Sequence, residues 1–279
     1  MRSVCRQTIV LLLLLTHAFI VFAQFQLPPM SLRAAAMGGC FSALDDASSA
    51  LHNISSAATR HNVTISLSYR QDYMLAGMGH KWVGVATPLT ASGTAIATYH
   101  HYGNATYNEQ RLSAGYAQQL FSWLSAGVTL DYLYSGVADG RYTPIRALSF
   151  TASLHAHIGK RWTAGLHLAN PTAIMHSGNI TTSHSRQAMP FALNVGIAHH
   201  PSPQWTTTIE LEHQQATNLR AGVEYLCFDH FAARLGLATN PFSYTFGIAY
   251  QHTHYHIDLA IDLHHLLGPT PMIGACVEL

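Results

Sequence analysis

The sequence predicts an all-β protein: a transmembrane antiparallel β-barrel of about fourteen strands, preceded by a short N-terminal helical plug segment. Apolar and polar residues alternate in many segments about ten residues long, as lipid-facing and lumen-facing residues do in barrel strands. Asp, Glu, Lys and Arg make up only 10% of the 279 residues, against roughly 25% in soluble domains. Beyond the first 23 residues, no stretch approaches the ~20 apolar residues of a spanning helix.

Residues 1–23 are predicted to be a secretory signal peptide. Arg2 and Arg6 precede an apolar run from Thr8 to Phe22, and the small residues Val21 and Ala23 place the cleavage after Ala23. No cysteine stands at that point, which disfavours a lipoprotein. The alternative is an uncleaved anchor, although the run is short for a membrane span. Export and the barrel pattern together predict the outer membrane of a Gram-negative bacterium.

Residues 24–60 are predicted to form the plug segment, because their composition differs from that of the rest of the mature chain. The stretch 31–58 is rich in Ala and Ser rather than alternating. Asp45 and Asp46 are placed to cap and charge the start of a short helix that continues to about Ala58.

Residues 61–279 are predicted to form the barrel. Val63, Ile65 and Leu67, for example, alternate with Thr64 and Ser66, and successive strand side chains point to opposite faces. Twelve strands are the alternative count, because residues 79–102 alternate weakly. The fourteen segments lie near 62–70, 79–88, 93–102, 109–118, 122–134, 144–158, 160–169, 189–200, 204–213, 217–227, 229–238, 242–251, 254–264 and 271–278.

The polar faces favour a membrane barrel over a secreted soluble β-sandwich. A soluble sandwich needs many charges on its outward faces, whereas the polar faces here hold mostly Ser, Thr, Gly, Ala and His. Trp and Tyr often stand at segment ends, as an interfacial girdle requires. Outer-membrane lipid is therefore an expected partner. The formal net charge of +1 predicts no nucleic-acid surface.

The segment "HTHYHIDLAIDLHHL" at 252–266 raises the question of a metal site. His254, His256, Asp258 and Asp262 share one face of the predicted strand, opposite an apolar face. Neighbours two apart on a strand lie about 6.6 Å from each other, too far for one metal without ligands from elsewhere. These four residues are therefore predicted to line the lumen, with ligand binding as the further possibility, and no metal is expected.

No signature of catalysis or of a cofactor is visible. Nucleophile, phosphate-loop and paired zinc-ligand motifs are absent, and His155 and His157 repeat the same strand spacing and are interpreted in the same way. The sequence predicts no enzyme, no cofactor and no metal. After the signal peptide, Cys40, Cys227 and Cys276 are an odd set; one disulfide is possible, but three unpaired, small hydrophobic residues are favoured.

Three stretches resemble the PorV/PorQ family of Bacteroidetes outer-membrane proteins, relatives of the FadL long-chain fatty-acid transporters. "SLRAAAMGGCFSALDDASSALHNISSAA" (31–58) is similar to the family's opening. "LHLANPTAI" with "MPFALNVGIAHHPSPQW" (166–205) is similar to its mid-barrel strands, and 231–279 to its closing strands. Asn53 matches the family's Asn-Pro-Ala, although Ile54 and Ser55 replace Pro-Ala, so Asn53 joins the candidate lumen-lining or ligand-binding residues.

The resemblance implies two functions. The first is a barrel that serves type IX secretion or surface-protein handling and binds secretion-system proteins or cargo, for which the 171–188 loop is a candidate docking region. The alternative is FadL-like transport of a small hydrophobic molecule past the plug. The secretion-type barrel is the main hypothesis from sequence, and a secreted soluble β-sandwich remains as a third.

Overall fold

Fourteen antiparallel strands close into a barrel in the computed structural model, which describes residues 28–139, 143–171, 174–177 (backbone only), 191–214 and 216–279. Neighbouring strands in the chain pair with each other, except that β7 pairs with β9, and β1 pairs with β15 to close the barrel. Among the described strands, the short β8 pairs only with β6 and is not counted among the fourteen. The predicted fold class is confirmed, and a sandwich of two packed sheets is wrong. The predicted signal peptide lies outside the described residues. The strands are β1 Thr64–Gln71, β2 Gly79–Thr90, β3 Gly93–Gly103, β4 Tyr107–Phe121, β5 Leu124–Val137, β6 Ile145–Ile158, β7 Trp162–Ala169, β8 Ile174–Ser177, β9 Ala192–Ser202, β10 Trp205–His213, β11 Thr217–Phe228, β12 Phe231–Thr239, β13 Phe242–Gln251, β14 Tyr255–His264 and β15 Gly268–Glu278.

The alternation of the sequence becomes an outward apolar face and an inward polar face. In β5, Val128 and Leu130 are exposed on the outside, whereas Thr129 and Asp131 are buried on the inside. The same pattern holds in β10, where Ile209 is exposed and Glu210 is fully buried. Among the described residues, no helix is both long and apolar enough to cross a membrane.

The two ends of the barrel differ. At one end, the strands are joined by turns of two or three residues, such as 91–92 and 229–230; we call this the short-turn end. The longer connections, such as 72–78 and 170–191, lie at the opposite end, the long-loop end. Barrels of this type have short periplasmic turns and longer extracellular loops. Exposed aromatic side chains surround the short-turn end, as a girdle predicts: Phe121, Trp123, Trp162, Trp205, Tyr225, Phe228, Phe231 and Tyr255.

The wall contains one interruption that the alternation does not predict. Strand β7 ends at Ala169, and the short strand β8 then pairs with Ile145–Leu148 of β6, along the same edge that β7 occupies further down. Asn170 between them has a positive φ of 54°, and Pro171 follows it. Proline has no N–H for the ladder, so Pro171 supplies no rung there. Residues 172–173 and 178–190, most of the proposed 171–188 docking region, lie outside the described residues.

The segment ahead of β1 lies inside the barrel, and we call residues 28–60 the plug. Helix α1, Leu32–Ala36, contacts β12 to β15, whereas the 3-10 helix Ile54–Thr59 contacts β3 to β6 on the opposite wall. Ser31 caps α1, because its Oγ accepts a hydrogen bond from the Ala34 N–H at 3.3 Å.

The prediction of one continuous helix from Asp45 to about Ala58 is wrong. Two 3-10 helices, Ser49–Leu51 and Ile54–Thr59, replace it. The break falls at Asn53, whose backbone is non-helical (φ −95°, ψ 88°). Its side chain donates to the Ser42 carbonyl and accepts from the Ser55 hydroxyl. A local bond such as that with Ser55 competes with a continuous helix. Asp46 does act as expected at the start, since its carboxylate accepts from the Ser49 N–H at 3.1 Å.

Inward-facing glycines let the plug touch the wall backbone. A Cβ on Gly165 would lie 1.7 Å from the Ser42 carbonyl oxygen, and one on Gly236 would lie 1.9 Å from the Gly38 nitrogen. Real Cβ atoms do not approach other atoms so closely, so any larger residue would displace the plug. This agrees with the expectation that small residues on the polar faces accommodate it.

Candidate functional site

The plug divides the lumen into spaces at its two ends. A cavity of about 460 Å³ opens at the short-turn end, where Lys160 and Gln204 lie. A vestibule of about 480 Å³ opens at the long-loop end, where Asp72 and Asn240 lie. A chamber of about 80 Å³ lies beneath the vestibule and shares Pro28, Glu212 and Gln214 with it. Within the described chain, the short-turn cavity shares no lining residue with the other two spaces.

A buried carboxylate holds the middle of the plug to the wall. Glu210 on β10 is fully buried. One of its oxygens accepts hydrogen bonds from the Phe41 N–H at 2.9 Å, the Ser42 N–H at 2.7 Å and the Ser42 hydroxyl at 2.6 Å. The other oxygen accepts from Asn194 at 3.0 Å. A buried carboxylate that receives several donors is stabilised by them, so this contact fixes the plug backbone.

A chain of ion pairs attaches α1 to three strands. The Arg33 guanidinium donates two hydrogen bonds to Glu224 on β11, at 3.0 and 2.6 Å, and a third to Asp46 at 2.9 Å. Glu224 also accepts from Arg234 on β12 at 2.6 Å, and Arg234 donates to Asp258 on β14. Burial opposes ionisation of Asp46, but Arg33 and the Ser48 hydroxyl hold its pKa well below the usual range. Arg33 therefore joins the plug carboxylate Asp46 to the wall carboxylate Glu224.

The chamber beneath the vestibule has one apolar side. Met30, Phe41, Leu51 and Ile54 of the plug line it together with Trp82 of β2. Several of these side chains belong to a buried apolar cluster that continues into the wall. The site therefore offers contact area for an apolar molecule.

Imidazole rings extend this aromatic surface. Phe41 contacts His52 edge-on at 4.0 Å between ring centroids and His167 at 5.0 Å. Trp82 stacks on His100 at 4.8 Å. Burial, with His167 alongside, holds the pKa of His52 well below its usual range, so this imidazole is neutral at pH 7 and behaves as a weakly polar ring.

Three polar residues of the chamber wall satisfy one another. Arg111 pairs with Asp131 at 2.8 Å and donates to Thr151 at 3.0 Å, and Thr151 also donates to Asp131 at 2.7 Å. Because these groups bond to one another, they place few unpaired donors against a ligand. The chamber therefore suits a molecule that makes mostly apolar and ring contacts.

A hydrogen-bonded chain connects the vestibule with the chamber. Asp72, in the loop after β1, lies 3.0 Å from His80 Nε2, and His80 Nδ1 lies 2.9 Å from His100 Nε2. Tyr102 stacks on His80 at 4.4 Å. Asp72 and His80 line the vestibule, whereas His100 lines the chamber, so this chain forms part of the passage between them.

The residues predicted from the sequence to line the lumen or bind a ligand lie in different parts of the structure. Asn53 is fully buried in the plug. His256 and Asp258 line the short-turn cavity, whereas Asp262 lines the vestibule with an oxygen 3.8 Å from Arg70. His254 is exposed in the turn before β14 rather than on its inner face. These residues do not form one cluster, and a ligand-binding role for them remains a prediction.

Sequence reasoning placed Glu210, Glu224 and Arg234 on the inward polar faces but did not identify the residues that organise the lumen as site residues. Arg33, Glu210, Glu224 and Arg234 tie the plug to the wall, and Trp82 with Phe41 forms the chamber. The available signal was charges of both signs at inward positions of consecutive strands. The three cysteines of the described residues are free, and Cys40 and Cys276 are buried, as favoured. Burial raises the pKa of the Cys40 thiol well above its usual value.

Comparison with known proteins identifies the fold. No protein-family model matches the chain, and no curated protein sequence gives a significant match. Among solved structures, it is similar to the CymD monoaromatic hydrocarbon channel, at 12% identity over 93% of this chain and 99% of that one (TM-score 0.66). The Ralstonia pickettii toluene transporter TbuX matches at 13% identity over 92% and 98% (TM-score 0.63). A Pseudomonas aeruginosa FadL homologue matches at 11% over 92% and 98% (TM-score 0.61). The chain therefore has a FadL-like barrel fold.

Proposed function

We propose that this protein carries small hydrophobic molecules, monoaromatic compounds among them, across the outer membrane of a Gram-negative bacterium. The observation that carries the proposal is the aromatic chamber formed by Phe41, Trp82 and the apolar plug residues beneath an open vestibule. The structures with the same fold include a monoaromatic hydrocarbon channel and a toluene transporter. Their sequence identity to this chain is low. The shared fold therefore supports a channel of the outer membrane, and the apolar lining of the chamber supports small hydrophobic molecules as the substrates.

The chamber is too small to hold a monoaromatic molecule unless the plug moves. Its volume is about 80 Å³, roughly half of the ~150 Å³ of a protein cavity that binds benzene. A monoaromatic molecule therefore requires the plug to shift, and the tethers at Glu210 and Arg33 oppose that shift. We infer that transport proceeds by a limited movement of the plug, while the barrel wall does not move.

The test is uptake by intact cells, because toluene crosses simple lipid bilayers without help and the outer membrane is the barrier. A Gram-negative host without FadL-like channels would express this protein, and the initial rate of radiolabelled toluene uptake would be compared with that of empty-vector cells. We expect faster uptake with the protein. Equal rates, with the folded barrel present in the outer membrane, contradict the proposal.

A chamber-filling variant connects the activity to this site. Thr98 of β3 lines the chamber, so Thr98→Trp is expected to return uptake to the empty-vector rate. Thr207→Trp is the matched control, because Thr207 is exposed in β10, outside the lumen. Both variants should show the heat-dependent gel mobility of a folded barrel. If Thr98→Trp transports as well as Thr207→Trp, the chamber is not the path.

Type IX secretion, the main hypothesis from sequence, is the second candidate. It rests on the likeness of three stretches, 31–58, 166–205 and 231–279, to the PorV/PorQ family, and the first of them forms most of the plug. Pull-down from solubilised outer membranes tests it: recovery of secretion or attachment proteins supports this role, and their absence counts against it. The comparisons favour transport, and transport is therefore placed first.

A further inference from the structure

The plug brings a carboxylate to two histidines that share the inner face of one strand. His155 and His157 lie two residues apart near the end of β6, and their rings are 5.0 Å apart in an edge-on arrangement. Asp45 of the plug lies against them, so that one ligand atom from each of the three residues is within 4.8 Å of the others. Two histidines at this spacing cannot complete a metal site alone, and the plug supplies the missing ligand.

In the described chain, the ring nitrogens of His155, Nδ1 and Nε2, make no hydrogen bond of normal geometry. The side chain is buried, with 2% of the residue exposed. A buried polar group without a partner carries a desolvation cost that native proteins normally avoid. A metal ion bonded to one of these nitrogens would remove part of that cost.

The neighbouring polar side chains already have partners, so Asp45, His155 and His157 are the ligands that remain. His200 also lines the short-turn cavity, but its Nδ1 lies 3.2 Å from the Thr206 hydroxyl and its Nε2 3.5 Å from that of Thr163. Asp46, the next residue after Asp45, is engaged by Arg33. Asp45 and His157 line the cavity, whereas His155 is buried behind it. The site therefore opens to water on one side.

The ligand set indicates the metal class. Two imidazoles and one carboxylate suit Zn²⁺ and the neighbouring transition metals rather than Ca²⁺ or Mg²⁺, which prefer oxygen ligands. Ligand atoms about 2.0–2.1 Å from a tetrahedral metal are about 3.3 Å from one another, so the three side chains would close by small rotations. The cavity leaves the fourth position to water.

We propose that Asp45, His155 and His157 bind a divalent transition-metal ion of the zinc class, which joins the plug to strand β6. Arg33 and Glu210 attach the plug to β10 and β11, and Asn53 bonds within the plug itself. The metal adds an attachment to a different part of the wall. Because it faces the short-turn cavity, it takes its ion from the periplasmic side and holds the plug in place.

Metal titration of the purified, detergent-solubilised full chain tests the site. After chelator treatment, Zn²⁺ would be titrated against a chromophoric competitor, because twenty histidines create a weak background that a competitor separates from one tight site. We expect one tight Zn²⁺ per barrel, and visible Co²⁺ absorption bands of a tetrahedral ion when Co²⁺ replaces Zn²⁺. Asp45→Asn, His155→Gln and His157→Gln should each raise the Kd by more than about tenfold and remove those bands.

His254→Gln is the matched control, because His254 is exposed in a turn away from the site, and it should bind as the unmodified protein does. If His155→Gln fails to fold, Asp45→Asn decides, since Asp45 lies in the plug and not in a strand. Absence of a tight site, its persistence in a folded Asp45→Asn variant, or its equal loss in His254→Gln overturns the proposal. Zn²⁺ should also slow amide exchange in residues 31–58 of the unmodified protein but not of Asp45→Asn; equal exchange contradicts the attachment of the plug.

Discussion

Glu210 shows how one side chain can decide the position of a whole segment. A carboxylate with no exposed area is costly unless donors surround it, and here two backbone N–H groups and a hydroxyl of the plug provide them. The dependence runs both ways, because the N–H groups of Phe41 and Ser42 are buried and also require an acceptor. Wall and plug therefore satisfy each other at this residue.

Glu210→Gln is expected to loosen the plug while the barrel still forms. The amide keeps one acceptor oxygen but loses the charge, so its hydrogen bonds weaken, and we expect a loss of about 1.5–3 kcal/mol in plug docking. Amide exchange in residues 31–58 measures the effect.

The control for this change is Asp229→Asn, in the exposed turn between β11 and β12, which should leave exchange unaltered. Unchanged exchange in Glu210→Gln would show that other contacts hold the plug without it.

At the scale of elements, the plug depends on the barrel around it for its folded structure. Helix α1 has five residues, far fewer than the roughly 12–15 that an isolated helix needs in water. The rest of the plug consists of turns, irregular segments and two short 3-10 helices, and ion pairs and wall glycines fix its path. Its structure is thus a property of the lumen.

Acid should release the plug, because its ion pairs require ionised carboxylates. Arg33 lowers the pKa of Asp46 in the folded state. The stabilisation by Asp46 is therefore fully present above the ordinary carboxylate pKa of about 3.9 and is lost as the pH falls below it. Between pH 5 and pH 2.5 we expect amide protection in α1, corrected for the intrinsic exchange rate, to fall by at least about tenfold, the equivalent of one pKa unit.

Asp46→Asn serves as the control for this pH effect. It should exchange faster at neutral pH and depend less on pH. Glu224 and Asp258 belong to the same network, so part of the dependence will persist. Protection in α1 that is the same at both pH values would contradict the ionic attachment.

Sequence predicts the strands well and the plug poorly, for a physical reason. The fourteen barrel strands agree with the alternating segments to within a few residues, because lipid outside and polar lumen inside impose a period of two on each strand. The region 79–102, which alternates weakly, is the two strands β2 and β3. The path of residues 28–60 depends on contacts with distant strands, such as Arg33 with Glu224. No local period encodes such contacts, and the Asn170 break is equally non-periodic.

At the scale of the whole molecule, the barrel is an inside-out protein. Many of its large apolar side chains, such as Leu130 and Ile248, are exposed, while its ion pairs lie within. In water this surface would associate with other apolar surfaces; in a bilayer it is solvated by acyl chains. The lumen, isolated from lipid by the wall, can then hold the polar network that positions the plug.

The lipid-facing surface makes the effect of a charge depend on depth. Leu130 lies at the middle of β5 with 62% of its area exposed, whereas Leu266, 79% exposed, lies in the turn between β14 and β15. An arginine at the bilayer midplane costs about 2–4 kcal/mol in such barrels and about 0–1 kcal/mol near an interface. Leu130→Arg should therefore lower the free energy of unfolding from phospholipid vesicles by the larger amount and Leu266→Arg by the smaller one, as urea titrations followed by tryptophan fluorescence would show. In detergent micelles, which deform around a charge, the difference should shrink. Equal effects of the two arginines in vesicles would mean that the middle of β5 does not face the hydrocarbon, and would contradict a barrel whose outer face is covered by lipid.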